Sequence, residues 1–158
     1  MKRFFFAGLL LTAAFTSSCN EENAGTCGGG NNLCFDLDGT TYSMNAEWYQ
    51  INATRYRILW EESIGADYKN VEIDLYGSLA EGTYTVSESA SAPGEAAFQY
   101  YLNVGGSADD YSGVSGAINV TSVANNTISG NFTIDVTESF GGTSHSITNG
   151  NLDAIPQQ

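Results

Sequence analysis

The chain has 158 residues, among them 18 acidic side chains, 5 Lys or Arg and 1 His, for a formal net charge of −13. A surface this negative repels phosphate backbones and anionic head groups, which excludes nucleic-acid binding and makes the surface itself a poor membrane ligand. Lys2 and Arg3 stand at the extreme N-terminus, so the rest of the chain sets only Arg55, Arg57 and Lys69 against all 18 carboxylates.

After Lys2-Arg3 comes an apolar or small-residue run, Phe4 to Phe15, then Thr16, Ser17, Ser18 and Cys19. The run is too short for a permanent bilayer-crossing helix. Charge, apolar core and small residues in that order make a secretory signal. With a cysteine directly behind the small residues, the segment resembles a bacterial lipoprotein signal, although Thr16 stands where such signals usually carry an aliphatic residue. The resemblance implies a signal peptide of residues 1–18, lipid on Cys19 and anchoring in the outer membrane, the protein's membrane contact running through that lipid. Each buried methylene adds roughly 0.8 kcal/mol, so two or three acyl chains give a lasting hold. Asn20-Glu21-Glu22 resembles the acidic tag that sends such lipoproteins to the cell surface. The alternatives are the periplasmic leaflet, or ordinary signal cleavage and secretion.

Residues 19–32 are mainly Glu, Asn, Gly and Thr, with almost nothing to bury. They read as a lipidated cysteine and flexible tether spanning about 20 Å as a random coil. Cys27 and Cys34 flank Gly28-Gly29-Gly30-Asn31-Asn32-Leu33. Export places them in an oxidising compartment, where they are expected to pair in a disulfide. Their spacing is wrong for a zinc half-site, and a single histidine does not complete one.

From Leu33 onward, period-two alternation punctuated by turns predicts one all-β domain over residues 33–158. Asp38-Gly39 is a two-residue hairpin signal that sets Leu37 opposite Thr40, Phe35 opposite Tyr42 and Leu33 opposite Met44. All the large apolar residues then share a face, with Cys34 on the other. Residues 46–52 read equally as strand or loop. Further strands hold Tyr56, Ile58 and Trp60; Val71, Ile73 and Leu75; Tyr84 and Val86; and Phe98, Tyr100, Leu102 and Val104. Late in the chain, Val114, Gly116, Ile118 and Val120 form one apolar set, and Ile128, Gly130, Phe132, Ile134 and Val136 another. A two-residue loop at Asn125-Asn126 puts the two sets on opposite faces. A three-residue loop, Ala124 to Asn126, keeps them together, predicts Val120 opposite Gly130 and Gly116 opposite Ile134, and gives Asn126 a left-handed backbone. A closing strand runs from about His145 to Ile155. The turn spacing fits a single antiparallel β-sandwich or flattened barrel of about seven to nine strands.

The runs EGTYTV, YYLNVGG, SGVSGAINVTSVANNTISGNFTIDV and HSITNGNLDAI, roughly residues 82–155, resemble small Bacteroidota outer-membrane lipoproteins with a C-terminal all-β domain. That resemblance implies fold and export and carries no activity.

Candidate sites are few. His145, between Ser144 and Ser146, has no G-x-S-x-G elbow to serve and reads as an ordinary polar residue. Glu72, Asp74 and Asp135 fall on outward strand positions and read as solvated surface. Asp36-x-Asp38-Gly39 and Asp109-Asp110 lack the spacing of a calcium loop. Arg55 and Arg57 project from one strand and are expected to pair with carboxylates across it. No catalytic residue, metal or cofactor is assigned, so the expectation is a non-enzymatic interaction or structural module. The alternative is a glycan-binding accessory lipoprotein whose outward Trp48, Tyr49, Tyr76, Tyr101 and Tyr111 stack on sugars. A glycan or protein partner follows from these two readings.

Overall fold

Asp38 and Gly39 both have positive φ, 51° and 78°, the backbone that a tight hairpin turn between right-twisted strands demands. In this computed structural model, which describes Cys27, residues 30–139 and residues 141–158, the turn joins β1 (Leu33–Leu37) to β2 (Thr40–Met44). Leu37 pairs with Thr40, Phe35 with Tyr42 and Leu33 with Met44, the register that the alternation predicts. The signal segment 1–18, Cys19 and the tether as far as Thr26 lie outside the described residues.

Eight more strands follow: β3 (Glu47–Asn52), β4 (Arg55–Ile64), β5 (Asp67–Tyr76), β6 (Gly82–Val86), β7 (Glu95–Val104), β8 (Ser107–Ala124), β9 (Thr127–Glu138) and β10 (Ser144–Pro156). The fold is all-β, and its 10 strands exceed the expected number because the ambiguous stretch 46–52 supplies one. They form one open sheet in the order β2-β1-β10-β9-β8-β6-β7-β5-β4-β3. The pairing is antiparallel apart from a short parallel contact, Thr85 with Glu95 and Val86 with Ala96.

One face of every strand feeds a single core that includes Leu33, Ile58, Ile73, Ile118, Ile134 and Ile147. The sheet curls over it. Phe35 on β1 meets Phe98 and Tyr100 on β7, at 6.1 and 5.8 Å between ring centroids, although β10, β9, β8 and, over part of the sheet, β6 stand between those strands. The two edge strands, β2 and β3, are joined by only Asn45 and Ala46. Asn32 clamps that junction: its Oδ1 accepts from the Ala46 N–H at 2.7 Å and its amide donates to the Ala46 carbonyl at 2.9 Å. Cys27 and Cys34 form a disulfide beside the buried Asn151, which pairs with Cys34 across the β1–β10 ladder. The Tyr84 hydroxyl donates to the Ser78 carbonyl and accepts from the Ala80 N–H, pinning the loop before β6.

The late hairpin corrects the expectation in an instructive way. Its loop is the two-residue Asn125-Asn126, both left-handed (φ 52° and 61°), and not Ala124 to Asn126. Val120 still faces Gly130 and Gly116 still faces Ile134. The extra residue sits in the strand: Ser122 pairs with Ser129, leaving Thr121 as a bulge that restores the register. A second bulge, at Val114, turns Gly113 to the position opposite Val136. Val114 therefore leaves the apolar set, and Gly113, whose Cβ would lie 2.9 Å from Val86 Cγ1, takes the inward place.

Candidate functional site

The outer face of β4, β5 and β7 carries a charge cluster that strand alternation alone reads as solvent-exposed. Arg57 lies directly opposite Asp74, and Leu59 opposite Glu72. Arg57 donates from Nε to Asp74 Oδ1 at 2.9 Å and from Nη2 to Oδ2 at 3.0 Å. Arg55 adds a third hydrogen bond to Asp74 Oδ2 at 2.5 Å. Arg57 also pairs with Glu72. These contacts bear out the expected cross-strand pairing of both arginines. They overturn the reading of Asp74 as solvated surface, since it is 2% exposed. Two guanidinium groups cover it from the neighbouring strand.

Burial pushes the Asp74 carboxyl up, but hydrogen bonds from Arg57 and Arg55 outweigh it and hold the group below the ordinary carboxylate value. Burial raises Glu72, with the Asp74 charge acting in the same direction and Arg57 opposing. Arg55, hydrogen-bonded to Asp74, is raised and stays charged. Its guanidinium carbon lies 5.5 Å from the Tyr76 ring centroid, a cation–π contact. Its Nε is buried with no hydrogen-bond partner.

Beside this cluster is a cavity of about 290 Å³, lined by Arg55, Glu72, Asp74, Tyr76, Ser87, Glu88, Ala97, Phe98, Gln99, Ser112 and Gly113. It arises from the strand order. β8 pairs with β7 as far as Ser112 and with β6 from Ala117, while β6 and β7 meet only at their ends. The sheet splits there, and the split is lined mainly by polar groups.

The five aromatic candidates do not form one surface. Trp48 is 7% exposed and packs in the core, its indole N–H donating to the Asn126 carbonyl at 3.1 Å. Its outward placement is corrected because β3 is a strand whose inward face it occupies, opposite Ile58. Tyr49 sits opposite Arg57, on the outer face. It borders a different, smaller cavity with Glu47, Leu59, Trp60 and Glu61. Tyr101 packs against Tyr68 at 5.9 Å. Tyr111 stacks on Tyr100 at 5.8 Å and meets His145 edge-on; its hydroxyl is raised by burial and then by Asp109, Glu138 and Asp38. Only Tyr76 lines the polar cavity.

His145 is more engaged than its sequence setting suggests. Nδ1 faces Asp38 at 2.6 Å and Nε2 faces Glu138 at 3.1 Å, tying the first turn to the end of β9. Asp36 accepts from Thr41 and Asn149 and is lowered by them, Asn149 foremost. Among the described residues no group of three or more His, Cys, Asp or Glu is arranged to hold a metal.

Alternation placed Arg55, Arg57, Glu72, Asp74 and Gln99 on one face. Nothing local marks the cavity, because it depends on where β8 changes partners, and Ser87, Glu88 and Ser112 were not legible as its wall. No known protein family, curated protein or solved structure matches the chain.

Proposed function

We propose that this protein is a lipid-anchored envelope protein, held in the outer membrane through Cys19, whose β domain is a non-enzymatic interaction module. The order Lys2-Arg3, apolar run, Cys19 supports the anchor. One observation carries the binding role: Asp74, buried beneath two arginines, borders an open polar cleft. Burying paired charges is seldom worth more than apolar packing. A buried ion cluster on an outer sheet face therefore suits recognition better than stability.

The finer architecture we propose is a flattened barrel or sandwich-like roll split along a seam between β2 and β3. The Phe35–Phe98 contact across the core supports it. So does the backbone bridge that joins Trp48 to Gln157.

The test is metabolic labelling with a palmitate analogue in cells expressing the native chain or Cys19→Ala, followed by protease treatment of intact cells. Labelling confined to the native chain, with the protein digested from outside, supports a surface anchor. Equal labelling of the two chains refutes it.

Glycan binding is the second reading, favoured by the cleft and Tyr76 rather than by a platform of stacked rings.

A further inference from the structure

We infer that the split between β6 and β7 is a subsite for one neutral, polyhydroxylated ring, a sugar unit bound mainly by hydrogen bonds to Arg55, Gln99 and the carboxylates beside them. The inference deepens the reading of the domain as a binding module and rests on it.

Size comes first. A volume of about 290 Å³ lies at the lower edge of ordinary ligand pockets, roughly 300–1,000 Å³. It suits a single ring and leaves no room for an extended chain below the surface.

Charge comes second. Arg55 and Arg57 are balanced by Asp74 and Glu72, and Glu88 in the cavity wall adds a further negative charge. A phosphate or carboxylate ligand would meet Glu88 and a strongly acidic protein. A cation would meet two arginines. A neutral ligand meets neither conflict.

Hydrogen-bond chemistry decides the class. Arg55 brings its guanidinium group to the cavity wall, while its Nε–H is buried beneath that wall without an acceptor. The wall also presents carboxylates that only accept (Glu72, Glu88), an amide that does both (Gln99) and two hydroxyls (Ser87, Ser112). A sugar hydroxyl accepts from Arg55 while giving its own proton to a carboxylate, so adjacent hydroxyls match a wall of mixed donors and acceptors. Tyr76, with Arg55 over its ring, lines the same wall.

The experiment uses the full chain in detergent. Saturation-transfer NMR and calorimetric titration are run with a panel of neutral hexoses and pentoses, their methyl glycosides, glucuronate and glucose 6-phosphate. A neutral sugar is expected to bind with millimolar affinity. Arg55→Lys keeps the positive charge but removes the planar guanidinium donors at the cavity wall and should weaken binding at least tenfold. Gln99→Ala, which touches no ion pair, should weaken it several-fold and decides the matter if the lysine variant misfolds. Failure of every neutral sugar to bind, preference for the anionic sugars, or unchanged affinity in Gln99→Ala overturns the assignment. None of these outcomes bears on the lipid anchor or its labelling test, so the subsite and the envelope reading fail separately.

Discussion

Arg57 grips both carboxylate oxygens of Asp74 from the directly opposed position on the neighbouring strand, at 2.9 and 3.0 Å. Planar two-point pairing of this kind fixes orientation as well as charge. Because Arg55 reaches the same carboxylate, a single buried anion organises two of the three cations that the chain holds beyond its N-terminus. It also sets the shape of the cleft wall that Arg55 lines.

Asp74→Asn should destabilise the domain by about 2–3 kcal/mol at pH 7, since both arginines lose their shared partner while keeping some solvent contact. The sign of the pH dependence follows from the lowered carboxyl. Stability from Asp74 is fully present above its unfolded value, about 4, and is lost as pH falls through the lower native value. Glu72, raised in the folded state, runs the other way: its contribution is full below about pH 4 and fades as pH climbs through its native value. Urea titrations at pH 7 and pH 3 should therefore show a gap between wild type and Asp74→Asn that narrows in acid. An equal gap at both pH values would contradict this account.

Replacing both Cys27 and Cys34 by Ser should cost about 2.5 kcal/mol in the chain-entropy account of a short loop, given their separation of 7 residues. Urea midpoints of the full chain with and without reductant provide the measurement. The variant should match the reduced wild type. A wild-type midpoint indifferent to reductant would show that the bond adds nothing.

What the sequence reveals tracks how local the determinant is. The first hairpin was legible because Asp38-Gly39 and three flanking apolar pairs all demand one register. Trp48 was not: its burial depends on residues 47–52 forming a strand against β4, and its indole N–H finds its acceptor at Asn126, 78 positions away. Asp74 was correctly placed on the outward side. That side is dry only because β4 lays Arg55 and Arg57 over it, and no pattern within β5 reports its neighbour's side chains. The cavity was the least legible feature, since it exists only once β8 has exchanged β7 for β6.

Gly150 lies opposite Phe132 on β9, and a Cβ added there would stand 2.6 Å from Phe132 Cε2. The ring has no room to retreat, being buried with Phe98 and Phe35 at 6.3 and 6.2 Å. Gly150→Ala should cost about 1–3 kcal/mol, the usual penalty for overpacking a filled core. Combining it with Phe132→Leu should recover part of that loss, giving a coupling of about 1 kcal/mol in a double-mutant cycle. Strict additivity would mean that the ring and the glycine do not limit each other.

Deleting Thr121 separates the observed hairpin from the three-residue loop that the apolar pattern suggests. In the structure Val120 pairs with Gly130 and the next residue in the ladder, Ser122, with Ser129. Thr121 is exposed and has no partner of its own in that ladder. Its removal should yield a regular ladder with every flanking pair intact, at a change within about 1 kcal/mol. If the extra residue instead lay in the loop, the same deletion would slip one strand by a position. Ile118 and Val120, or Ile128 and Phe132, would then turn away from the core. Losing that many buried contacts would unfold the domain outright. Amide exchange should show Val120 and Gly130 still protected in the deletion variant, with a urea midpoint close to wild type. Collapse of the midpoint would place the irregularity in the turn after all.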